Sequence, residues 1–380
     1  MKSKAQIALS EDQKQVLWQL RSKGPASRSD LALRLDASNT ALTKITRELL
    51  ALDLVEELDL DADRTRGRPA IPLTISARGG YAVGAAVHRG LLEVTLLDYA
   101  GTPISAATEA FDSADPRVFA DALLRIVHRL TTEKSLLTRR LLGVGIGVPG
   151  AAISRDGTRR WTVAGLEGWR DVPLDEVIGD YLGLPVWIEN DANAAALGEY
   201  YAGGLIGQYS AVVVILLGHG IGAGVIAAGE LLKGEMGNAG DIGRLYPGNR
   251  PRPSGVDLLA TLASAGCDIS SLADLKQQTS KHAEVIESWI ERAAAQLEPM
   301  IDGSIAWFDP GMIVLSSSLP KSMLQQLEGR LRSAQLMRPP VRIAPPELRS
   351  SELGGAAVSI GAALLPIHAM TAPGQLFSKK

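Results

Sequence analysis

The sequence predicts a mixed α/β chain: a small α+β head at the N-terminus, followed by a larger α/β body of two lobes facing a cleft. Three observations carry that expectation. The first 80 residues hold three short amphipathic helix patterns and then two strand patterns; from Gly79 onward strands alternate with helices; and that alternation is doubled, one strand set, a crossover and a second strand set. A chain of 380 residues also exceeds what one hydrophobic core usually organises. The boundary is placed so that 1–78 form the head and 79–380 the body.

In the head, Glu11 to Lys23 reads as an amphipathic helix with Val16, Leu17 and Leu20 on one face, stopped by Gly24-Pro25. Ser27-Arg28-Ser29-Asp30 caps a short second helix carrying Leu31, Leu33 and Leu35, and Asp36-Ala37-Ser38 forms a tight connection. The third helix runs from Asn39 to about Leu50. Its apolar face is Leu42, Ile45 and Leu49, while Asn39, Thr40, Thr43, Lys44, Thr46 and Arg47 are expected to point outward. Two short helices joined by a three-residue turn, the second rich in Thr, Asn, Lys and Arg, describe a helix-turn-helix whose second member enters a major groove. Leu54 to Leu58 and Ile71 to Ile75 then read as strands flanking the loop ADRTRGRPA, which completes a winged helix-turn-helix. Arg64, Arg66 and Arg68 on that loop suit a minor groove, where phosphate walls concentrate negative potential.

Charge follows the same division. Residues 1–80 hold 13 Lys and Arg against 11 Asp and Glu, while the remainder holds 26 against 31. The basic balance of the head is a weak pointer to a polyanion. The MKSKAQIALSEDQKQ start lacks the apolar segment of a secretory signal, and no uninterrupted apolar run reaches the ~18 residues of a membrane span. A cytoplasmic location is therefore expected, with no membrane partner. The single cysteine, Cys267, excludes an internal disulfide framework and a multi-cysteine zinc site.

In the body, Tyr81 to Val87 and Leu91 to Asp98 read as strands paired through His88-Arg89-Gly90, Pro116 to Thr132 as a helix, and Leu141 to Val148 as a buried strand ending in Pro149-Gly150. Val186 to Glu189, Ala211 to Leu217, Gly222 to Ala227 and Met312 to Ser316 supply further strands, and Ala283 to Ile301 a long helix. Behind the strand ending at Glu189 stand Asn190, Asp191 and Asn193. Capping of the helix that starts near Ala192 accounts for one of Asn190 and Asp191. A carboxylate beside amides also suits the reading of sugar hydroxyls.

The stretches GRPAIPLTI at the wing, GVGIGVPGA from Gly143, LEGWRDVPL from Leu166, LPVWIENDANAAALGE from Leu184, LLGHGIGAGVIAAGELLKGEMGNAGDIG from Leu216, WFDPGMIVLSS from Trp307 and GAAVSIGAALL from Gly355 occur in order along the chain. In this series the protein resembles the ROK family (repressor, open reading frame, kinase), and specifically its transcriptional-repressor branch with an N-terminal winged helix. The resemblance implies the two-lobed sugar-kinase/actin-like fold with a monosaccharide in the cleft, and it covers nearly the whole chain.

The departures from that pattern bear on chemistry. Where kinases of the family carry an Asp-x-Gly-Gly-Thr-like turn for magnesium and ATP phosphates, this chain has Gly84-Ala85-Ala86-Val87-His88-Arg89, and where they have a Gly-Gly turn near the base it has Ser316-Ser317-Ser318. Only the loop Gly218-His219-Gly220-Ile221-Gly222 keeps its glycines. Phosphoryl transfer draws most of its rate from magnesium and positioned phosphates, so no catalytic residue and no cofactor are assigned and Asp191 becomes a hydroxyl hook. The family's sugar-contacting Glu and His correspond here to Asp241 and Arg244, and a third acid to Asp257. Arg244 could grip a carboxylate or phosphate in bidentate fashion, which points to a modified or acidic sugar, or else it pairs with Asp241. The zinc-binding cysteines are missing from LYPGNRPRPSGV, Leu245 to Val256, so no metal is expected.

The expected function is thus a sequence-specific transcriptional regulator, a repressor of carbohydrate genes. It would bind a palindromic double-stranded DNA operator as a homodimer or homotetramer and answer to a sugar or sugar derivative held by Asn190, Asp191, Asp241, Arg244 and Asp257. DNA contact falls to Ser38, Asn39, Thr40, Thr43, Lys44 and Arg47 of the third helix, with Arg66 and Arg68 of the wing. The alternatives are an ATP-dependent sugar kinase with an appended DNA-binding head, and a DNA-binding dimer that takes no effector.

Overall fold

The computed structural model describes residues 7–58, 71–88, 90–246, 250–269, 271–333 and 344–371. Helix α1, Glu11–Lys23, starts at a capping box in which Ser10 Oγ accepts from the Gln13 amide and Gln13 Oε1 accepts from the Ser10 amide; it buries Val16, Leu17 and Leu20. Helix α2, Arg28–Arg34, is capped by Ser27 and α3, Asn39–Ala51, by Ser38. Strands β1, Val55–Glu57, and β2, Leu73–Ile75, pair antiparallel with Val55 opposite Ile75. The wing arginines Arg64, Arg66 and Arg68 lie outside the described residues.

One position of the head, Thr46, departs from the sequence reading. Leu33 is 85% exposed, because it stands two residues from Leu31 and a helix turns about 100° per residue, which leaves the expected helix unchanged. Thr46, expected to point outward, is fully buried: it follows Leu42 by four residues and joins Leu42 and Leu49 on the core-facing stripe. Its hydroxyl donates to the Leu42 carbonyl at 2.7 Å and accepts from Arg28 Nε at 3.1 Å, so the polar group is satisfied where it is buried.

The first lobe runs through β3 (Tyr81–His88), β4 (Gly90–Asp98), β5 (Pro103–Phe111), α4 (Pro116–Glu133), β6 (Leu141–Val148), the small hairpin β7 (Ala151–Ala152) and β8 (Arg160–Trp161), α5 (Leu174–Leu182) and β9 (Val186–Asn190). Helix α6 (Asp191–Tyr201) follows directly. The second lobe holds β10 (Ala211–Leu217), β11 (Ile221–Ala227), β12 (Glu230–Leu231), α7 (Gly255–Ser264), α8 (Leu272–Gln278), α9 (Ala283–Phe308), β13 (Met312–Ser317), α10 (Lys321–Ser333) and β14 (Glu347–Ser350), and the described chain closes with α11 (Ala357–Thr371). The sheets have the orders β5-β4-β3-β6-β9 and β12-β11-β10-β13-β14, the same arrangement in both lobes. In each, the first three strands are antiparallel and the last two join in parallel. The doubling read from the sequence is therefore a structural repeat, although β5, β14 and several helices were not foreseen.

Helices α6 and α11 pack together between the sheets. Their backbones come so close that a Cβ at Gly361 would collide with the Ala194 carbonyl oxygen, which only glycine avoids. Residues Gly354–Thr371 are apolar and long enough to cross a membrane, but 72% of the segment is buried inside the protein, as expected of a core helix. The head joins this centre. Leu17, Leu20, Leu54 and Leu73 share one buried cluster with Tyr99, Leu197, Tyr200 and Leu364 of the body. Arg21, 6% exposed, donates from Nη2 to the Tyr99 carbonyl at 2.8 Å and stands over the Tyr99 ring.

Candidate functional site

A cleft of about 270 Å³ opens between the lobes, lined among others by Gly150, Asn190, Asp191, Gly218, Asn238, Asp241, Arg244 and Arg252. Behind Asn190 and Asn193 of its wall lies a buried charge cluster. Arg160 of β8 donates from Nη1 to the Gly150 carbonyl at 2.9 Å, and its Nη2 lies 3.5 Å from Glu189 Oε1. Glu189 also receives Lys233 Nζ at 3.0 Å, Asn193 Nδ2 at 3.1 Å and the Asn190 amide at 2.8 Å. Burial alone would raise the Glu189 pKa, yet Lys233, Arg160 and these donors together hold it below the ordinary glutamate value. Sequence reasoning gave Glu189 no role. Its signal was a carboxylate at the end of an otherwise apolar strand, a place that demands partners.

Asn190 is the N-cap of α6. Its Oδ1 accepts from the amides of Ala192 at 2.9 Å and Asn193 at 3.3 Å, and its Nδ2 donates to the Gly150 carbonyl at 3.3 Å. Asp191, the first residue of the helix, accepts from the Ala192 amide at 2.9 Å while lining the cavity. Burial raises its pKa, and the Ala192 amide, Arg160 and His219 oppose that rise. Asn190 thus shapes the wall through capping, and Asp191 presents a half-buried carboxylate beside it.

The opposite wall belongs to the second lobe. Asp241, whose pKa is raised by burial against the pull of Arg244, leads into a short 3-10 turn, Ile242–Leu245, that carries Arg244. Among the described residues no ion pair within 4 Å joins them, so the pairing offered as one expectation is not made. Arg252, unassigned in the sequence, reaches the same cavity from the proline-rich segment ahead of α7. Asp257 does not reach it, which corrects its placement among the ligand-binding residues: both its oxygens bind Arg292, at 3.3 and 2.9 Å, and Trp289 Nε1 donates to Oδ2 at 2.8 Å. That acid ties α7 to α9.

Three contacts clasp the lobes along one rim. Asn238 accepts from the Ala152 amide at 2.7 Å and donates to the Ala152 carbonyl at 2.8 Å; Lys233 meets Glu189; and Arg155 meets Glu235 at 2.8 Å on the surface.

The residues present do not fit the family's zinc ion, and the places where its kinases hold a nucleotide differ here. Ser316 and Ser317 end β13, where Ser316 Oγ donates to buried Glu199 at 2.9 Å and Ser317 Oγ to the Leu217 carbonyl at 2.6 Å, so both hydroxyls are spent inside the protein. Gly222 stays a glycine for packing, since a Cβ would come within 2.9 Å of the Ala192 Cβ. The segment Leu245 to Val256 has no cysteine thiolate to offer zinc.

On the head, Ser38, Asn39, Thr40, Thr43, Lys44 and Arg47 are all exposed and lie along one side of α3. Ser38 Oγ accepts from the Ala41 amide at 3.2 Å and Thr43 Oγ1 donates to the Asn39 carbonyl at 2.7 Å, so both hydroxyls are partly spent on the helix itself. Arg66 and Arg68 lie outside the described residues.

Comparison with known proteins places these features in a wider group. The chain is 29% identical to protein y4fQ of Sinorhizobium fredii over 343 residues, 90% of this chain and 86% of that one. It is 27% identical to the DNA-binding transcriptional repressor Mlc of Escherichia coli over 266 residues, and 28% identical to the xylose repressor of Bacillus subtilis over 234. These two matches cover 68% and 62% of this chain but only 63% and 60% of the repressors. The crystal structure of a ROK family transcriptional regulator, a homologue of Mlc, superposes with a TM-score of 0.71 at 24% identity over 96% of this chain and 98% of that one. A ROK glucokinase from Streptomyces griseus, in complex with glucose and AMPPNP, gives 0.62 at 22% over 75% and 99%. Both show the same two-lobed fold. Residues 92–369 match the ROK family as a whole, and with the cleft and the doubled sheets in place the chain belongs to that family.

Proposed function

We propose that this chain is a DNA-binding transcriptional regulator, a repressor of carbohydrate genes, whose cleft takes a sugar or sugar derivative as effector. The observation that carries the reading is the exposed polar face of α3, presented by a head whose first helix is locked into the core of the body. Base edges would be read by Asn39, Thr40, Thr43 and Ser38, phosphates by Lys44 and Arg47, with Arg66 and Arg68 of the wing in the adjacent minor groove. The head comprises residues 1–78 and the body 79–380. A homodimer or tetramer would set two heads on a palindromic operator, and effector binding between Asn190, Asp191, Asp241 and Arg244 would shift lobe closure and head spacing. The relatives named as xylose repressor, Mlc and the N-acetylglucosamine repressor support this reading. Phosphoryl transfer is not part of this reading, because Ser316-Ser317-Ser318 stand at the end of β13 where kinases of the family carry a Gly-Gly turn.

The test is recovery of duplex DNA from fragmented genomic DNA by the full chain, followed by titration against salt. Lys44→Ala should weaken binding across all sequences and flatten the log–log salt slope by about 1, whereas Asn39→Ala should relax preference at one base pair by ~1–3 kcal/mol. Failure to retain any duplex at low salt would remove the proposal.

A further inference from the structure

We infer that the cleft selects an anionic polyol, a sugar bearing a carboxylate or phosphate, through a guanidinium fork made by Arg244 and Arg252. This inference rests on the reading of the cleft as an effector pocket. Both arginines line the same cavity from the second lobe, one on the turn after Asp241 and one in the segment leading to Ser254, the N-cap of α7. Among the described residues neither guanidinium is engaged in an ion pair or a hydrogen bond, although other arginines of the body are committed: Arg155 to Glu235, Arg160 to Glu189 and Arg292 to Asp257. Each guanidinium offers five N–H donors in a planar array that matches the paired oxygens of a carboxylate or phosphate.

The charges around the fork favour an anion over a neutral ring. Asp241 is within electrostatic reach of Arg244 but forms no ion pair with it, and burial makes its ionised form less favourable, so it is a poor internal counter-ion. Asp191 and Asn190 stand on the wall formed by β9 and α6, where a carboxylate and an amide serve hydroxyl groups rather than an anion. The cavity is therefore polarised: hydroxyl-reading groups on one side and two uncommitted cations on the other. A ligand with hydroxyls at one end and an anion at the other would bridge the lobes, and the anionic end would supply the partner the two arginines lack. Arg252 lies in the segment from Leu245 to Val256 where the family pattern has zinc-binding cysteines, so that loop contributes a ligand-facing cation here.

The experiment is calorimetric titration of the full chain with matched trios of a neutral sugar, its uronate and its 6-phosphate, drawn from several hexoses, with inorganic phosphate and sulfate alongside. The anionic member of at least one trio should bind more tightly than its neutral parent by a factor of about 10 to 100. Arg244→Gln and Arg252→Gln should each bring that member down toward the neutral level, while Arg250→Gln, outside the cavity lining, leaves the preference unchanged. Both arginines are exposed, so unchanged melting temperatures establish that the variants fold. Whether the uronate or the phosphate gains more identifies the anionic group. Neutral sugars binding as tightly as their anionic partners would overturn the inference and leave the effector reading standing. Inorganic phosphate binding as tightly as the sugar phosphate would also overturn it, because the hydroxyl wall would then contribute nothing. Absence of binding by every sugar would sink the inference and the effector reading together.

Discussion

The cleft and the seam between head and body are both internal surfaces, but they are built from opposite materials. The cleft is polar: its lobes meet through the Asn238–Ala152 pair, the Lys233–Glu189 ion pair and the surface Arg155–Glu235 pair. The seam is apolar, with Leu17 and Leu20 of α1 buried beside Leu197 and Leu364, Trp18 set edge-on to His368, and His368 edge-on to Tyr201 at 4.4 Å between ring centres. Hydrogen bonds across a wet rim exchange readily with water, whereas buried apolar area costs ~25 cal/mol for each Å² exposed. The difference teaches where motion is cheap. Lobes joined as these are can open and close, while the head is held to the α6 and α11 pair at their base and would follow whatever those helices do.

The largest effect should come from breaking the buried ion pair behind the cleft wall. Glu189→Gln leaves Arg160, 1% exposed, without its counter-charge and should destabilise by about 3–5 kcal/mol, read as a lower urea midpoint with an unchanged m-value. Acid tests the seam. Burial, aided by the positive charge of Arg21, holds His368 at about 3 against an ordinary 6.5. The folded state therefore binds fewer protons than the unfolded state between these values, and stability should fall as the pH drops below 6.5, by about 1.4 kcal/mol per unit. Urea unfolding at pH 7, 6 and 5 would show the decline, and His368→Leu should flatten it; an equally steep decline in that variant would refute this assignment. The smallest effect sharpens the contrast. Asn238→Ala removes two half-buried hydrogen bonds of the clasp and should cost only about 1–2 kcal/mol, yet it should speed amide exchange on both lobe rims near Ala152 while leaving α1 protected.

Much of the architecture was legible because local pattern and final burial agree. The three head helices, Leu141–Val148 and Ala211–Leu217 were readable from apolar periodicity bounded by glycine, proline and capping residues. The doubled strand sets were legible for the same reason. Helix α11 was not resolved as an element, since a helix buried on all sides carries no amphipathic period to detect. Thr46 was misplaced because a hydroxyl looks polar in a sequence but satisfies itself on its own helix. Among the site residues, Asn190 and Asp191 stood out as polar groups at a strand end, and the structure puts both in the cleft lining together with Asp241 and Arg244. Asp257 was drawn in by a loose correspondence of acids, and Arg252 was passed over because an arginine in a proline-rich loop has no periodic neighbour to mark it.

By itself the sequence determined the order of elements, the exposed polar face of α3 and the clustering of polar residues behind β9, because each depends on residues within one or two turns of one another. The tertiary structure alone decided which charges meet. Arg160, Glu189 and Lys233 come from three distant segments, as do Asp257 and Arg292, and only the packing of α6 and α11 between the two sheets sets those distances. Electrostatic attraction and the cost of burial depend on separation in space, to which spacing along the chain is blind.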